Sequence, residues 1–116
     1  MHVVNIGFYK SKEKLTEVFG DRLVYIGRRN IFYGFEESPL HNPYIIKLGV
    51  HRNAAISFYE KYLRSSLEKG DALITETMKS LSNRSVLVCY CHPKRCHGNV
   101  IDKVWKEYRD TWSDEL

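Results

Sequence analysis

The sequence predicts a small α/β domain in which a Rossmann-like parallel sheet is flanked by helices. Three observations favour this fold class: short apolar segments rich in β-branched residues, amphipathic segments between them, and glycine or turn residues at the joins. Strands that are separated by helices pair in parallel through right-handed crossovers. A chain of 116 residues is expected to form one domain, spanning residues 1–116.

The N-terminal part of the chain predicts two strands with a helix between them. β-Branched residues over 2–6 indicate the first strand, and an apolar run over 23–27 indicates the second. A helix is predicted over 10–19, where apolar residues recur at helical spacing. Ser11 is placed to cap the start of this helix, and Gly20 is placed to end it.

The segment 28–52 has no helical period and contains several glycine and proline turn signals. An irregular loop of this length is uncommon in a compact domain and is usually functional. Alternatively, residues 31–33 and 44–46 form short edge strands that shorten the loop. Both interpretations remain open from the sequence.

The C-terminal half predicts two helices, a buried strand and a final helix. An apolar stripe at 3.6-residue spacing indicates a helix that begins at Asn53 and ends at Gly70. Asp71 is expected to cap the next helix. The continuous apolar run over 85–90 is typical of a central strand that is covered on both faces. A last amphipathic helix is predicted through residues 100–112.

Composition limits the function classes. The net charge is +4, and segment 22–64 holds seven basic against three acidic residues. This excess suits an anionic partner such as a nucleotide or nucleic acid, although an ordinary solvated surface explains it equally well. No apolar run approaches the ~20 residues of a membrane span. No export signal is evident, so a cytoplasmic location without membrane contact is expected.

The three cysteines lie close together, in the segment CYCHPKRCHG at residues 89–98. An odd cysteine count in a chain without an export signal argues against a disulfide framework. The segment leads from the last predicted strand into the last predicted helix. Backbone N–H groups at a helix start attract anions and lower the pKa of a thiol.

Three interpretations of this segment compete. In the first, it binds an anion and is catalytic, with Cys96 as nucleophile and His97 as general acid or base. In the second, it holds a zinc ion, although it lacks the two separated knuckles of common structural zinc sites. The zinc ligands would then be Cys91, His92, Cys96 and His97. In the third, Cys89 and Cys91 are core residues, His97 is a helix cap and nothing reacts; Cys89, inside the strand, is expected in the core in every case.

Ligands of parallel α/β sheets bind beyond the carboxyl ends of the strands. Gly27 and Arg28 follow the second predicted strand, and the cysteine segment follows the last one. Arg52, just before a helix, can join them at the same edge. These positions predict a shared anion site in which arginines hold phosphate.

The motifs VYIGR at 24–28, SPLHNPY at 38–44 and CYCHPKRCHGN at 89–99, in this order, resemble the family catalogued as domain of unknown function 4326. That family occurs in phages, viruses and prokaryotes, which would make a viral or mobile-element origin reasonable. The resemblance covers about residues 23–105 and implies one common site. Its members would be Gly27, Arg28, Asn42, Pro43, Arg52, Cys91, Pro93, Cys96, His97 and Gly98.

Two positions depart from the family pattern, which usually has glycine in place of His41 and an acid in place of Asn99. If that acid orients His97 or takes a proton, the asparagine argues against catalysis. The family supplies no reaction. The resulting hypothesis is a nucleotide- or nucleic-acid-related ligand-binding protein, with an enzyme activity left open and no cofactor predicted. A non-catalytic nucleic-acid- or protein-binding accessory factor and a small structural zinc domain are the alternatives.

Overall fold

The computed structural model describes residues 1–44, 51–89 and 96–113. Its elements confirm the predicted α/β class, with a three-stranded parallel sheet and flanking helices. In chain order they are β1 (His2–Asn5), α1 (Ile6–Tyr9), α2 (Lys12–Phe19), a 3₁₀ turn (Gly20–Arg22), β2 (Leu23–Tyr25), α3 (Arg52–Glu68), α4 (Ala72–Lys79), β3 (Val86–Cys89) and α5 (His97–Ser113).

The sheet has the strand order β1-β3-β2, and both pairings are parallel. Leu87 of β3 lies opposite Val3 on one side and Val24 on the other. All four residues of β3 are buried. The continuous apolar run therefore became the central strand, as predicted, because only a strand with neighbours on both sides and cover on both faces buries every side chain.

Helices cover both faces of the sheet. On one face, Leu87 and Cys89 pack in a large apolar cluster with α3, α4 and α5. On the other, Val88 packs with Ile6 of α1 and Leu15 of α2. This division follows from the alternation of side chains along a strand, which sends residues 87 and 89 one way and residue 88 the other.

The predicted helix caps are present. The Ser11 hydroxyl accepts a hydrogen bond from the Lys14 N–H at 3.0 Å, and an Asp71 carboxylate oxygen accepts one from the Ile74 N–H at 3.0 Å. Gly70 follows α3 with a φ of 71°, in the left-handed region that ends many helices. Within the described ranges, no helix is both long enough and apolar enough to cross a membrane.

Three segments differ from the expectation, and one of them is the second strand, which was predicted over 23–27 and ends at Tyr25. The first strand stops at Asn5, because the Asn5 side chain accepts a hydrogen bond from the Gly7 N–H at 2.7 Å and starts the short helix α1. Residues 31–33 form a turn and no edge strand, closed by a two-residue bridge between Asn30 and Phe35. The other suggested edge strand, 44–46, lies mostly outside the described residues.

Candidate functional site at the carboxyl edge of the sheet

Helices α3 and α5 lie side by side and run in the same direction. A Glu60 carboxylate oxygen lies 3.3 Å from the Lys103 ammonium, and one turn later the Arg64 guanidinium donates to Glu107 at 2.7 Å. Both pairs join residues that are 43 positions apart. Because both pairs have the same offset of 43 positions, the two helices run in parallel, and the start of α5 lies level with the first turn of α3. The two helix N-termini therefore lie at the same end.

That end is the carboxyl edge of the sheet. The ring nitrogen Nε2 of His97, the first residue of α5, lies 2.6 Å from the carbonyl oxygen of Ile26. Ile26 directly follows β2, and its N–H donates to the Val88 carbonyl of β3 at 3.1 Å. His97 is thus held at the point where β2 and β3 end. The predicted convergence of the second strand and the Cys-His segment is present in the fold.

His97 is a neutral, buried imidazole. A carbonyl oxygen only accepts hydrogen bonds, so Nε2 carries the proton and donates it to Ile26. The pKa of His97 is lowered to about 4, mainly by burial and in smaller part by His41 and Arg28, while the bond to Ile26 opposes the shift. The Tyr59 ring meets the imidazole edge-on, with ring centroids 4.9 Å apart.

Tyr59 of α3 also holds the loop that follows β2. Its side chain is fully buried, and its hydroxyl donates to the Leu40 carbonyl at 2.7 Å. Burial, helped by Tyr62, keeps the pKa of Tyr59 well above its usual value, so the phenol stays protonated and donates. This one side chain therefore ties α3 to both the loop and the start of α5.

The same loop is fastened to the end of β2 by two further bonds. The Ser38 N–H donates to the Gly27 carbonyl at 3.0 Å, and the exposed Arg28 guanidinium donates to the Asn42 carbonyl at 2.8 Å. The Asn42 side chain accepts the Tyr44 N–H at 2.8 Å across Pro43, which makes a rigid turn. Arg28 and Asn42 are thus brought together, as the site prediction requires.

The two predicted site glycines permit close packing. A Cβ on Gly27 would lie 2.5 Å from the hydroxyl oxygen of Tyr25, which donates to the Arg28 carbonyl. A Cβ on Gly98 would lie 3.0 Å from a methyl group of Val3 and 3.1 Å from one of Ile26. Gly98 therefore lets the first turn of α5 rest directly on the sheet, much as glycines do at helix starts in other α/β folds.

The predicted nucleophile Cys96 is buried at the N-cap position of α5. Its side chain is 2% exposed, and its sulfur lies 3.4 Å from the sulfur of Cys89. Its N–H donates to the Asn99 side chain at 3.0 Å. Cys89 lies in the core, as predicted. The nucleophilic role of Cys96 stays a prediction.

Some predicted site residues lie outside the described ranges. These are Cys91 and Pro93, together with His92 of the alternative zinc site. Among the residues that the structure describes, no group of three His, Cys, Asp or Glu side chains could hold a metal ion. Arg52 is the first residue of α3 and is half-buried, at the end of the helix that faces the site.

Sequence reasoning missed the central role of Tyr59, which it treated only as one member of the apolar stripe of α3. Its partners could not be identified from the sequence, since one is a backbone carbonyl and the other lies on a distant helix. His41 was noted only as a departure from the family pattern. Its contribution to the site is electrostatic, through the pKa of His97.

The residues of this candidate site lie inside a region that matches a known sequence family. The sequence pattern of DUF4326, described as a domain of unknown function, matches residues 9–107. The chain belongs to the DUF4326 family. Comparisons with curated proteins and with solved structures gave no match. The DUF4326 match extends from α1 into α5, so Ile26, Arg28, Tyr59 and His97 all lie inside the family domain.

Proposed function

We propose that this DUF4326 protein binds a phosphorylated small molecule of the nucleotide class at the carboxyl edge of its sheet, between the starts of α3 and α5. The observation that carries the proposal is the parallel alignment of these two helices through Glu60–Lys103 and Arg64–Glu107. Each helix N-terminus presents backbone N–H groups and the positive end of a helix dipole. Two of them at one edge favour a phosphate there.

Side-chain charge supports the same ligand class. Arg28 is exposed three residues after the end of β2, and its bond to Asn42 uses one of the five N–H donors of a guanidinium. Arg52 opens α3 at the same end. Burial is the main cause of the low pKa of His97, and the positive charge of Arg28 lowers that pKa further, as a cation near this edge would. The ligand phosphate would accept hydrogen bonds from Arg28 and Arg52.

The proposal also includes catalysis at this edge by His97 and Cys96. With a pKa of about 4, His97 is neutral at pH 7 and so can accept a proton through Nδ1 but has none to give as a general acid. Cys96, the candidate nucleophile, has its thiol beside that of Cys89. An attacking Cys96 would need access to the ligand, which selective alkylation of Cys96, blocked by bound nucleotide, would demonstrate.

The binding proposal is tested by titrating the protein with AMP, ATP and inorganic phosphate in isothermal calorimetry. Arg28→Gln and Arg52→Gln should each weaken nucleotide binding about tenfold or more, because a charge-assisted hydrogen bond contributes roughly 1.5–3 kcal/mol. Lys61→Gln is the matched control: it removes one exposed positive charge from α3 more than two turns away from Arg52. Its affinity should stay within about twofold of wild type, since exposed charges at that distance are largely screened.

Two results would overturn the proposal. The first is the absence of binding to any of the three ligands; the second is an equal affinity of wild type and both arginine variants. A parallel titration with a 5′-phosphorylated oligonucleotide separates a free nucleotide from a nucleic-acid end. If only the oligonucleotide binds, with an affinity that falls steeply with salt, the protein is a nucleic-acid-binding accessory factor.

A further inference from the structure

We propose that Cys89 and Cys96 are a redox-active thiol pair, which closes to an intramolecular disulfide when the protein meets a peroxide. The two sulfur atoms lie 3.4 Å apart, and both side chains are 2% exposed. A disulfide requires a sulfur–sulfur distance of about 2.05 Å. Bond formation therefore requires the two sulfur atoms to approach each other by about 1.4 Å.

The fold holds both thiols in place from opposite sides. Cys89 is the last residue of the central strand and is paired in register with Asn5 of β1. Cys96 is fixed at the N-cap of α5, where its N–H donates to the Asn99 side chain at 3.0 Å and its carbonyl accepts the Asn99 N–H at 3.1 Å. Thiols that are held in contact exchange much faster with each other than with a thiol from another molecule.

The position of Cys96 favours the first step. It lies at the N-terminus of a seventeen-residue helix, where N–H groups and the dipole favour a thiolate, while its burial among apolar side chains acts in the opposite direction. The Cys96 thiolate attacks one oxygen of hydrogen peroxide, the O–O bond breaks, and hydroxide leaves and takes up a proton to form water. Cys96 is then a sulfenic acid, oxidised by two electrons.

The second step forms the cross-link. The sulfur of Cys89 loses its proton and attacks the sulfenic sulfur of Cys96, and the hydroxide that leaves takes up the proton as water. In total, two thiols and one peroxide give one disulfide and two waters. The disulfide joins the end of β3 directly to the start of α5. A dithiol reductant reverses the reaction by exchange.

The test is a peptide map of the full-length protein after treatment with hydrogen peroxide and blocking of the remaining thiols with N-ethylmaleimide. Trypsin cuts after Arg84, Lys94 and Arg95, so Cys96 leaves the digest on a different peptide from Cys89 and Cys91. A second cut with chymotrypsin after Tyr90 separates Cys89 from Cys91 in the wild-type protein. The assignment therefore needs no substitution that could disturb folding.

We expect a monomeric product that is two hydrogens lighter, with the Cys89 fragment linked to the Cys96 fragment and released by dithiothreitol. Cys91→Ala is the matched variant and should give the same link in the same yield. Cys89→Ala should accumulate Cys96 as sulfenic acid, which dimedone labels.

Three results would overturn the proposal. They are a link that includes Cys91, a link between two chains that appears as a dimer on a non-reducing gel, and the full recovery of Cys89 and Cys96 as N-ethylmaleimide adducts. The nucleotide titration is independent of this outcome, because it uses the reduced wild-type protein, in which both thiols are free of the cross-link and Arg28 and Arg52 are unchanged.

Discussion

His97 donates a hydrogen bond from its ring to the backbone carbonyl of Ile26 at 2.6 Å, across 71 positions of the sequence. This bond joins the first residue of α5 to the residue that follows β2. The imidazole is neutral at pH 7, because burial, with smaller contributions from His41 and Arg28, lowers its pKa to about 4. His97, a candidate site residue, is thus also a structural link at the sheet edge.

Acid should destabilise the protein through His97. The unfolded chain has the usual histidine pKa of 6.5, and the folded chain has about 4, so the unfolded state binds more protons between these values. The part of the free energy of unfolding that depends on His97 is therefore fully present above about pH 6.5. It is lost as the pH drops toward about 4, and the loss is on the order of 3 kcal/mol. Urea unfolding at pH 7, 6, 5 and 4.5 measures this loss.

His97→Gln removes the titrating group and keeps a side-chain N–H, so its stability should change much less over the same pH range. His2→Gln is the control, because His2 is exposed on β1. Its stability should follow the wild-type pH profile. If wild type and His97→Gln lose stability in parallel, His97 is not the group that titrates.

Tyr59→Phe should destabilise the fold by about 1–3 kcal/mol, because it leaves the Leu40 carbonyl without its buried donor. The ring remains, so the packing against His97 is retained. Denaturant unfolding gives the change in free energy. Tyr62→Phe, one turn along α3 and only half-buried, should change stability by less than about 0.5 kcal/mol. Equal losses in both variants would contradict the assigned role of Tyr59.

Gly98→Ala tests the close approach of α5 to the sheet. Overpacking against Val3 and Ile26 outweighs the better helix propensity of alanine, so a net loss of about 1 kcal/mol is expected. In a Val3→Ala background the loss should shrink by about half, because two of the three crowding methyl groups belong to Val3 and the third, on Ile26, remains.

The matched control for this cycle is Val4→Ala, since Val4 packs on the opposite face of the sheet with Val88. In that background, Gly98→Ala should carry its full wild-type cost. The same cost in all three backgrounds would show that the loss does not arise from contact with Val3.

The sheet and its central strand could be predicted from local patterns. The run at 86–89 is apolar at every position, and Ser11 and Asp71 stand where helix caps must stand, so each element carried its own signal. The meeting of the residues after β2 with the start of α5 also followed, because the carboxyl ends of parallel strands are where βα connections meet.

The contacts inside the site could not be predicted. His97 bonds to a backbone carbonyl, and Tyr59 bonds to another, and backbone groups are the same in every sequence. The parallel alignment of α3 and α5 is seen in ion pairs such as Arg64–Glu107. In the sequence these residues look like ordinary surface charges. The end of the first strand was also mispredicted, because Asn5, inside an apolar run, caps a helix and ends the strand early.

Asn99 occupies the third position of α5, where its side-chain oxygen accepts the Cys96 N–H at 3.0 Å. This is the reach-back contact of a capping box, and a carboxylate performs it at least as well as an amide. The acid that the family pattern has at this position can therefore act as a helix cap, without any proton transfer. Asparagine keeps that contact but adds no negative charge to the positive end of the helix.

Asn99→Asp should accordingly stabilise the protein by about 0.5 kcal/mol at low salt, and the gain should shrink in high salt as the dipole interaction is screened. Asn99→Ala should destabilise it by about 1 kcal/mol, because the cap is lost. Thermal or urea unfolding of the three proteins at two salt concentrations gives both numbers. A capping role requires the order Asp, Asn, Ala. If Asn99→Ala were as stable as wild type, the acid of the family pattern would need another explanation, and a direct role beside His97 would be the first to examine.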